Sequence, residues 1–300
     1  MKNEKILLLI PAYRDLELKS TIKSALKNAD KPEKLRFAIL NQYGPETKNV
    51  LSLFRGGEKR FKIVEVPWQE AKGVGWARHL LEDLYRDEEY VLQIDAHMLF
   101  YKGWDTVLKD NMAWCKDERA VISSYPVKYE YDKDGKVVIE TTERSRVELH
   151  PGKGRYVFES GVIKVPEDDK SPVKTLYATG GLEFYKGEML RDVRYNAEII
   201  FAGEEVVRSA QLFTFGYNIY EPMGLPIYHH YGRMNHHKFW KDMCDDPELK
   251  EYYMKINKRS DEIVDAIMSG DISGSEQYFG KERLIAEFLE LYQKDKEKHQ

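Results

Sequence analysis

The chain has 300 residues, 33% of them charged and 42% hydrophobic, with a formal net charge of −4. That is enough for one large domain or two modest ones with a sizeable core, and its acidic balance leaves no footprint for nucleic acid. Cys115 and Cys244 are the only cysteines, which excludes a disulfide framework or zinc knuckle. The short apolar run in MKNEKILLLIPAYRD fits neither a signal peptide nor a membrane span, so a cytoplasmic protein is expected.

Ile6–Ile10, Arg36–Asn41, Phe61–Val66 and Tyr90–Ile94 are short apolar or β-branched runs that read as buried strands. Helical patterns separate them. Leu16, Leu18, Ile22, Ala25 and Leu26 line the first; Val50, Leu51 and Phe54 belong to the second; Ala77, Leu80, Leu81, Leu84 and Tyr85 form the third. Continuous apolar strands alternating with helices predict a mostly parallel sheet covered on both faces, with right-handed crossovers. The first half of the chain therefore reads as a nucleotide-binding α/β half-sheet.

From about residue 120 the texture changes. Ala120–Tyr125, Tyr129–Tyr131, Val137–Thr142 and Tyr156–Val165 read as strands between Gly, Pro and charged turns. Asp132-Lys133-Asp134-Gly135 looks superficially like a calcium loop, but Lys136 and Val137 fall where a ligand and a glycine belong. A hairpin turn at Asp134-Gly135 is the better reading. Phe184–Val193 and Glu204–Phe215 are expected to be helical, and Tyr217–Tyr220 and Ile227–His230 extended. From Asn235 the pattern is helical and highly charged, ending in a fraying Lys294–Gln300.

Four segments carry candidate chemistry. Pro11-Ala12-Tyr13-Arg14-Asp15 ends the opening strand, where a tight loop can hold a planar ring against Tyr13 and present Arg14; Pro and Asp are also routine helix-start residues. Lys72-Gly73-Val74-Gly75-Trp76-Ala77-Arg78 places glycines before a helix, where free amides attract phosphate and Arg78 can add a forked contact. It lacks the third glycine of a dinucleotide fingerprint. Asp95 and His97 end the fourth strand two residues apart, so both face one pocket, and an oxygen beside an imidazole nitrogen suits Mn²⁺ or a similar ion. Gly103-Trp104-Asp105 follows. Last come Gly180-Gly181, then Glu204 and Glu205, which alternatively serve only as complements to a helix dipole, then the adjacent His229 and His230.

The string Gln93-Ile94-Asp95-Ala96-His97-Met98-Leu99-Phe100 with Gly103-Trp104-Asp105 resembles the polypeptide α-N-acetylglucosaminyltransferase family (glycosyltransferase family 60). The first loop, Gly75-Trp76-Ala77-Arg78, Gly203-Glu204-Glu205 and His229-His230-Tyr231-Gly232-Arg233 match it in order, over roughly residues 5 to 235. Ala96 departs from the family's common Ser between the two ligand positions. The resemblance implies a GT-A-type, Rossmann-like α/β fold: a mixed, mostly parallel sheet flanked by helices, with a β-rich insertion over 129–175. Residues 1–233 would be the catalytic domain and 234–300 a helical extension. It implies a UDP-sugar donor, UDP-GlcNAc by inheritance, Mn²⁺ or Mg²⁺, retention of configuration, and a hydroxyl acceptor on a protein or glycan.

In that scheme Asp95 and His97 stand for the Asp-x-Asp-type motif, and either His229 or His230 completes the metal site, His229 being preferred. Pro11, Tyr13, Arg14, Gly75, Arg78, Gly180 and Gly181 would hold the donor. Glu205 and Glu204 would sit by the acceptor, where a carboxylate acts as base in an inverting enzyme and orients the acceptor in a retaining one. A metal-dependent nucleotidyltransferase or hydrolase, or a non-catalytic carbohydrate-binding protein, are the competing readings. Metal-enhanced binding of a nucleotide sugar separates the transferase from the binding protein.

Overall fold

The computed structural model describes residues 4–54, 59–139, 145–149, 156, 158–162, 171–233 and 236–298, with backbone alone for 145–149 and 159–162. Its centre is an eight-stranded mixed sheet. The first four strands are β1 (Ile6–Tyr13), β2 (Leu35–Tyr43), β3 (Phe61–Pro67) and β4 (Tyr90–Ile94), all parallel, in the order β3-β2-β1-β4. The expected parallel half-sheet is thus present. Strand β1 shows why both faces must be covered: Ile6, Leu8 and Ile10 enter one apolar cluster, and Leu7 and Leu9 enter the other. Helix α1 (Leu18–Asn28) closes the first face through Leu18, Ile22 and Ala25, while α2 (Val74–Glu82) closes the second through Ala77 and Leu81.

Two expectations need correction. No α-helix forms around Val50, Leu51 and Phe54; that stretch is a turn and a short 3₁₀ segment, Ser52–Phe54. Phe184–Val193 is not helical either. It divides into strand β12, Leu182–Lys186, and a 3₁₀ turn, Gly187–Arg191. Its apolar residues pack from the middle of a sheet, which overrides a helical spacing. This strand runs antiparallel between β4 and β6 (Ala120–Ser123), which makes the sheet mixed.

The remaining strands are β5 (Met98–Phe100), β7 (Val127–Tyr131), β8 (Val137–Ile139), β9 (Ser145–Leu149), β10 (Phe158–Val162), β11 (Val173–Thr175), β13 (Asn218–Glu221) and β14 (Ile227–His229). Strands β7 and β8 form the hairpin expected at Asp134-Gly135, with Gly135 at φ 74°. Of the strands expected at Val137–Thr142 and Tyr156–Val165, residues 140–142, 157 and 163–165 lie outside the described residues. Helix α3 (Trp104–Cys115) backs the first face. Helices α4 (Glu204–Thr214), α6 (Lys250–Met268) and α7 (Ile285–Lys298) share a third apolar cluster that includes Val206, Val264 and Phe288. Helix α5 (Phe239–Asp245) lies between β14 and α6 in the chain. No described helix is long and apolar enough to cross a membrane.

Candidate active site

Strand β4 stops at Ile94, and its pairing with β1 ends at Leu9↔Gln93 while β1 runs on beside β2 to Tyr13. Pro11 is tolerated in this central strand because no ladder bond from β4 is required there. The carboxyl edge therefore opens at Asp95, where ligands collect in open α/β sheets. Thr21 on α1 fastens the next turn: its hydroxyl donates to the Ala96 carbonyl (2.8 Å) and accepts from the Met98 amide (2.9 Å). Strand β5 then pairs antiparallel with β14, placing Met98 opposite His229. That pairing brings His229 across a separation of more than a hundred residues to Asp95 and His97.

The donor atoms of Asp95, His97 and His229 all lie within 4.8 Å of one another. His229 Nε2 is 3.1 Å from Asp95 Oδ2 and 2.8 Å from His97 Nε2. His97 Nδ1 faces Asp15 Oδ2 at 3.0 Å. A carboxylate can only accept, so the Nδ1 proton belongs to that contact, and the Nε2 lone pair points into the cluster. Burial pushes the Asp15 carboxyl up, but the hydrogen bond from His97 and the Arg233 guanidinium outweigh it and hold it at about 2. Burial holds His229 below the ordinary histidine range, and so neutral. Asp95 is half-buried, and desolvation pushes its carboxyl up, yet its contacts with His229, His97 and Arg78 hold it well below the usual carboxylate range. Two imidazole nitrogens facing each other beside a carboxylate form an O,N,N donor set that fits a borderline divalent cation. Buried His229 Nδ1 has no hydrogen-bond partner among the described residues, so the polar contacts of that ring are those of Nε2 with Asp95 and His97.

The cluster opens on a cavity of about 430 Å³, lined by Asp95, His229, Arg78, Gly180, Gly181 and Glu205 among others. Arg78 is buried; it ion-pairs with Glu204 and donates to the Gly180 carbonyl (2.7 Å). Glu205 accepts from the Tyr125 hydroxyl and from the Gly180 amide (2.7 Å). Burial, and then the charge of Glu204, raise its carboxyl to about 7 against the pull of those two donors. Behind Arg78, the Tyr195 hydroxyl accepts from Gln93 (2.9 Å) and Arg78 (3.3 Å) and donates to Glu183 (2.8 Å). Glu183 is in turn bonded by the buried Arg208.

Other candidate residues lie apart from this cavity. His230 bonds Glu17 (2.9 Å) and stacks on Tyr129, so of the two histidines only His229 joins the cluster. Arg14, at φ 49°, forks to Glu46 (2.8 Å) and Asp242 (2.9 Å) over the Trp68 ring. The Tyr13 hydroxyl donates to the same Asp242 (3.2 Å), and its ring meets Phe239 edge-on. Gly75 does not present a free helix-start amide to phosphate: its N–H goes to the Ile199 carbonyl (3.1 Å), and that of Val74 to Ile200 (2.9 Å). The Gly-Trp-Asp motif is structural. Trp104 is core, and the Asp105 carboxylate accepts from the Asp30 and Lys31 amides (2.7 and 3.0 Å).

Sequence reasoning gave no role to Asp15, Tyr125, Glu183, Tyr195, Arg208 or Arg233. One signal was present: Gln93 and Glu183 are polar residues inside apolar strands, and they pair in register. A polar side chain buried in a sheet needs partners, and here it finds the network behind Arg78.

Comparison with known proteins bears on the fold and the family. A search of curated proteins finds no match. Among solved structures, the crystal structure of GalNAc-T7 with UDP, GalNAc and Mn²⁺ superimposes with a TM-score of 0.64 at 14% identity. The match covers 98% of this chain and 57% of that one, so the chain spans little more than half of that relative. The crystal structure of S. aureus TarS matches more loosely, with a TM-score of 0.47, 14% identity and 85% and 42% of the two chains covered. The fold is that of the GT-A glycosyltransferases. With the glycosyltransferase (GlcNAc) family matching residues 46–293, a span that holds all three clustered metal-type ligands and both glutamates, the chain belongs to that family.

Proposed function

We propose that this glycosyltransferase moves N-acetylglucosamine, with retention of configuration, from UDP-GlcNAc to a hydroxyl on a protein or glycan, and that it requires Mn²⁺ or a similar divalent ion. The observation that carries the reading is the Asp95–His97–His229 cluster opening on the 430 Å³ cavity. These three residues would hold the ion, which when bound supplies Lewis-acid stabilisation of the departing nucleoside diphosphate, typically several kcal/mol. Asp15 fixes the His97 ring with Nε2 turned to the cluster, a support whose removal usually costs ten- to a hundredfold in metal affinity.

Arg78 acts on the protein rather than on free solvent. Its guanidinium holds both Glu204 and the Gly180 carbonyl, which keeps the Gly180-Gly181 segment open beside the sugar. A side chain at Gly180 would collide with that guanidinium, 2.6 Å from the Cβ position. Glu205 is the carboxylate we assign to the acceptor. It lines the cavity and can hold the attacking hydroxyl by a hydrogen bond, while the leaving phosphate takes the hydroxyl proton. Glu204 is bound to Arg78 and acts through it. In this scheme residues 1–233 form the catalytic unit and 234–300 a helical extension that packs on α4.

Calorimetric titration of UDP-GlcNAc, UDP-GalNAc and a set of GDP-sugars, with Mn²⁺ and with chelator, tests the reading. Metal-dependent binding of UDP-GlcNAc alone supports it. Preference for UDP-GalNAc, the sugar class present in the GalNAc-T7 structure, would change the donor and leave the chemistry. Binding of no donor with or without metal would sink the transferase assignment.

A further inference from the structure

Arg233 lies four residues beyond His229, and its guanidinium forks over the metal site. Nη1 donates to Asp15 Oδ2 at 2.6 Å and Nη2 to His97 Nε2 at 2.9 Å, with a weaker contact from Nη1 to His236 Nδ1 at 3.2 Å. The second contact is the informative one. His97 Nδ1 is committed to Asp15, so Nε2 is the ring's one remaining lone pair, and it is the atom the cluster would offer to a cation. A lone pair that accepts from a guanidinium at hydrogen-bond distance cannot also coordinate a metal ion. Arg233 and the ion therefore compete for one atom.

We propose that Arg233 is a built-in cationic competitor for the metal site: its guanidinium occupies the His97 ligand atom, and a divalent ion binds only by displacing it. The proposal rests on reading Asp95, His97 and His229 as metal ligands. Three features favour exchange over a fixed structural role. Asp15 offers the displaced guanidinium a second anchor, so it can let go of His97 without leaving the site. The arginine follows β14 outside any helix or strand, so no ladder holds its backbone, only the local bond from its N–H to the Tyr231 carbonyl (2.9 Å). The two competitors also carry like charge, so once the ion is bound the fork is driven off His97. Metal affinity in this protein is then set by the difference between two cations rather than by the three ligands alone.

The test is Mn²⁺ titration, followed by electron paramagnetic resonance of the free ion, of wild type, Arg233→Gln, Arg233→Lys and Asp95→Ala, with circular dichroism to confirm folding. Releasing one charge-assisted hydrogen bond predicts a gain of roughly tenfold or more in Mn²⁺ affinity for Arg233→Gln. Arg233→Lys separates competition from simple charge repulsion. A lysine keeps the charge but lacks the planar fork that reaches Asp15 and His97 together, so competition predicts that it also gains, whereas repulsion alone predicts wild-type affinity. Equal or weaker binding by Arg233→Gln, with wild type binding normally and Asp95→Ala not at all, overturns the proposal and leaves the metal site standing. Failure of every folded variant, wild type included, to bind Mn²⁺ overturns the metal reading and the competition with it.

Discussion

At the scale of single residues, the Asp95–His97–His229 cluster makes the adjacent histidines unequal. His229 shares donor distance with Asp95 and His97, whereas His230 is spent on Glu17 and the Tyr129 ring. Asp95→Ala and His229→Ala should each abolish Mn²⁺ binding and lower transfer by a factor on the order of a thousand, while His230→Ala keeps binding within about tenfold. Equal losses for the two histidines, measured in the same titration, would contradict the assignment. Glu205 makes a different prediction. Its carboxyl titrates at about 7 in the folded protein against an ordinary 4.5, so the folded state holds a proton that the unfolded chain has already released. The stability from this group is therefore complete below the unfolded value and is lost as pH rises towards 7. Glu205→Gln should remove that loss, on the order of 3 kcal/mol, and flatten melting temperature against pH over this window. A variant whose melting profile runs parallel to wild type from about pH 4 to 8 would show that Glu205 is not the titrating group.

At the scale of elements, the start of α2 is held by packing that leaves no space for a side chain at its second residue. A Cβ on Gly75 would lie 2.3 Å from the Ile199 carbonyl oxygen and 2.4 Å from that of Asn196. Gly75→Ala should destabilise the protein by about 1–3 kcal/mol, read as a lower denaturant midpoint with an unchanged slope. An unaffected midpoint would mean that the 196–200 segment yields freely. This glycine also shows where sequence reading reached its limit. Glycines before a helix fit phosphate binding and close packing equally well, and only the position of a segment over a hundred residues away decides between them. The parallel strands and the Asp95–His97 pair were legible because period and strand-end position are local properties. The 182–186 strand was not, since its apolar spacing fits a helix until β4 and β6 appear on either side. The contact of Arg14 and Tyr13 with Asp242 was not legible, because Asp242 lies beyond the last recognisable motif.

At the scale of the whole molecule, the carboxyl-terminal helices bear directly on the site. Phe288 of α7 and Val264 of α6 share an apolar cluster with Val206 of α4, whose first turn carries Glu204 and Glu205. Phe288→Ala should cost about 3–5 kcal/mol and lower the single unfolding transition of the full chain. A separate early transition with the main one unmoved would instead make the extension an independent unit. The pairing of β5 with β14 has a consequence for how the protein is made. Asp95 and His97 are synthesised well before His229, and residue 229 reaches them only by adding a strand opposite Met98. Such distant pairings form late, after the loop-closing entropy has been spent. An emerging or truncated chain thus carries two of the three clustered groups on the parallel half-sheet without being able to complete the set. Under the proposed metal site, tight metal capture would then report that β14 has been made and has paired with β5, and the enzyme would stay inert until that strand is in place.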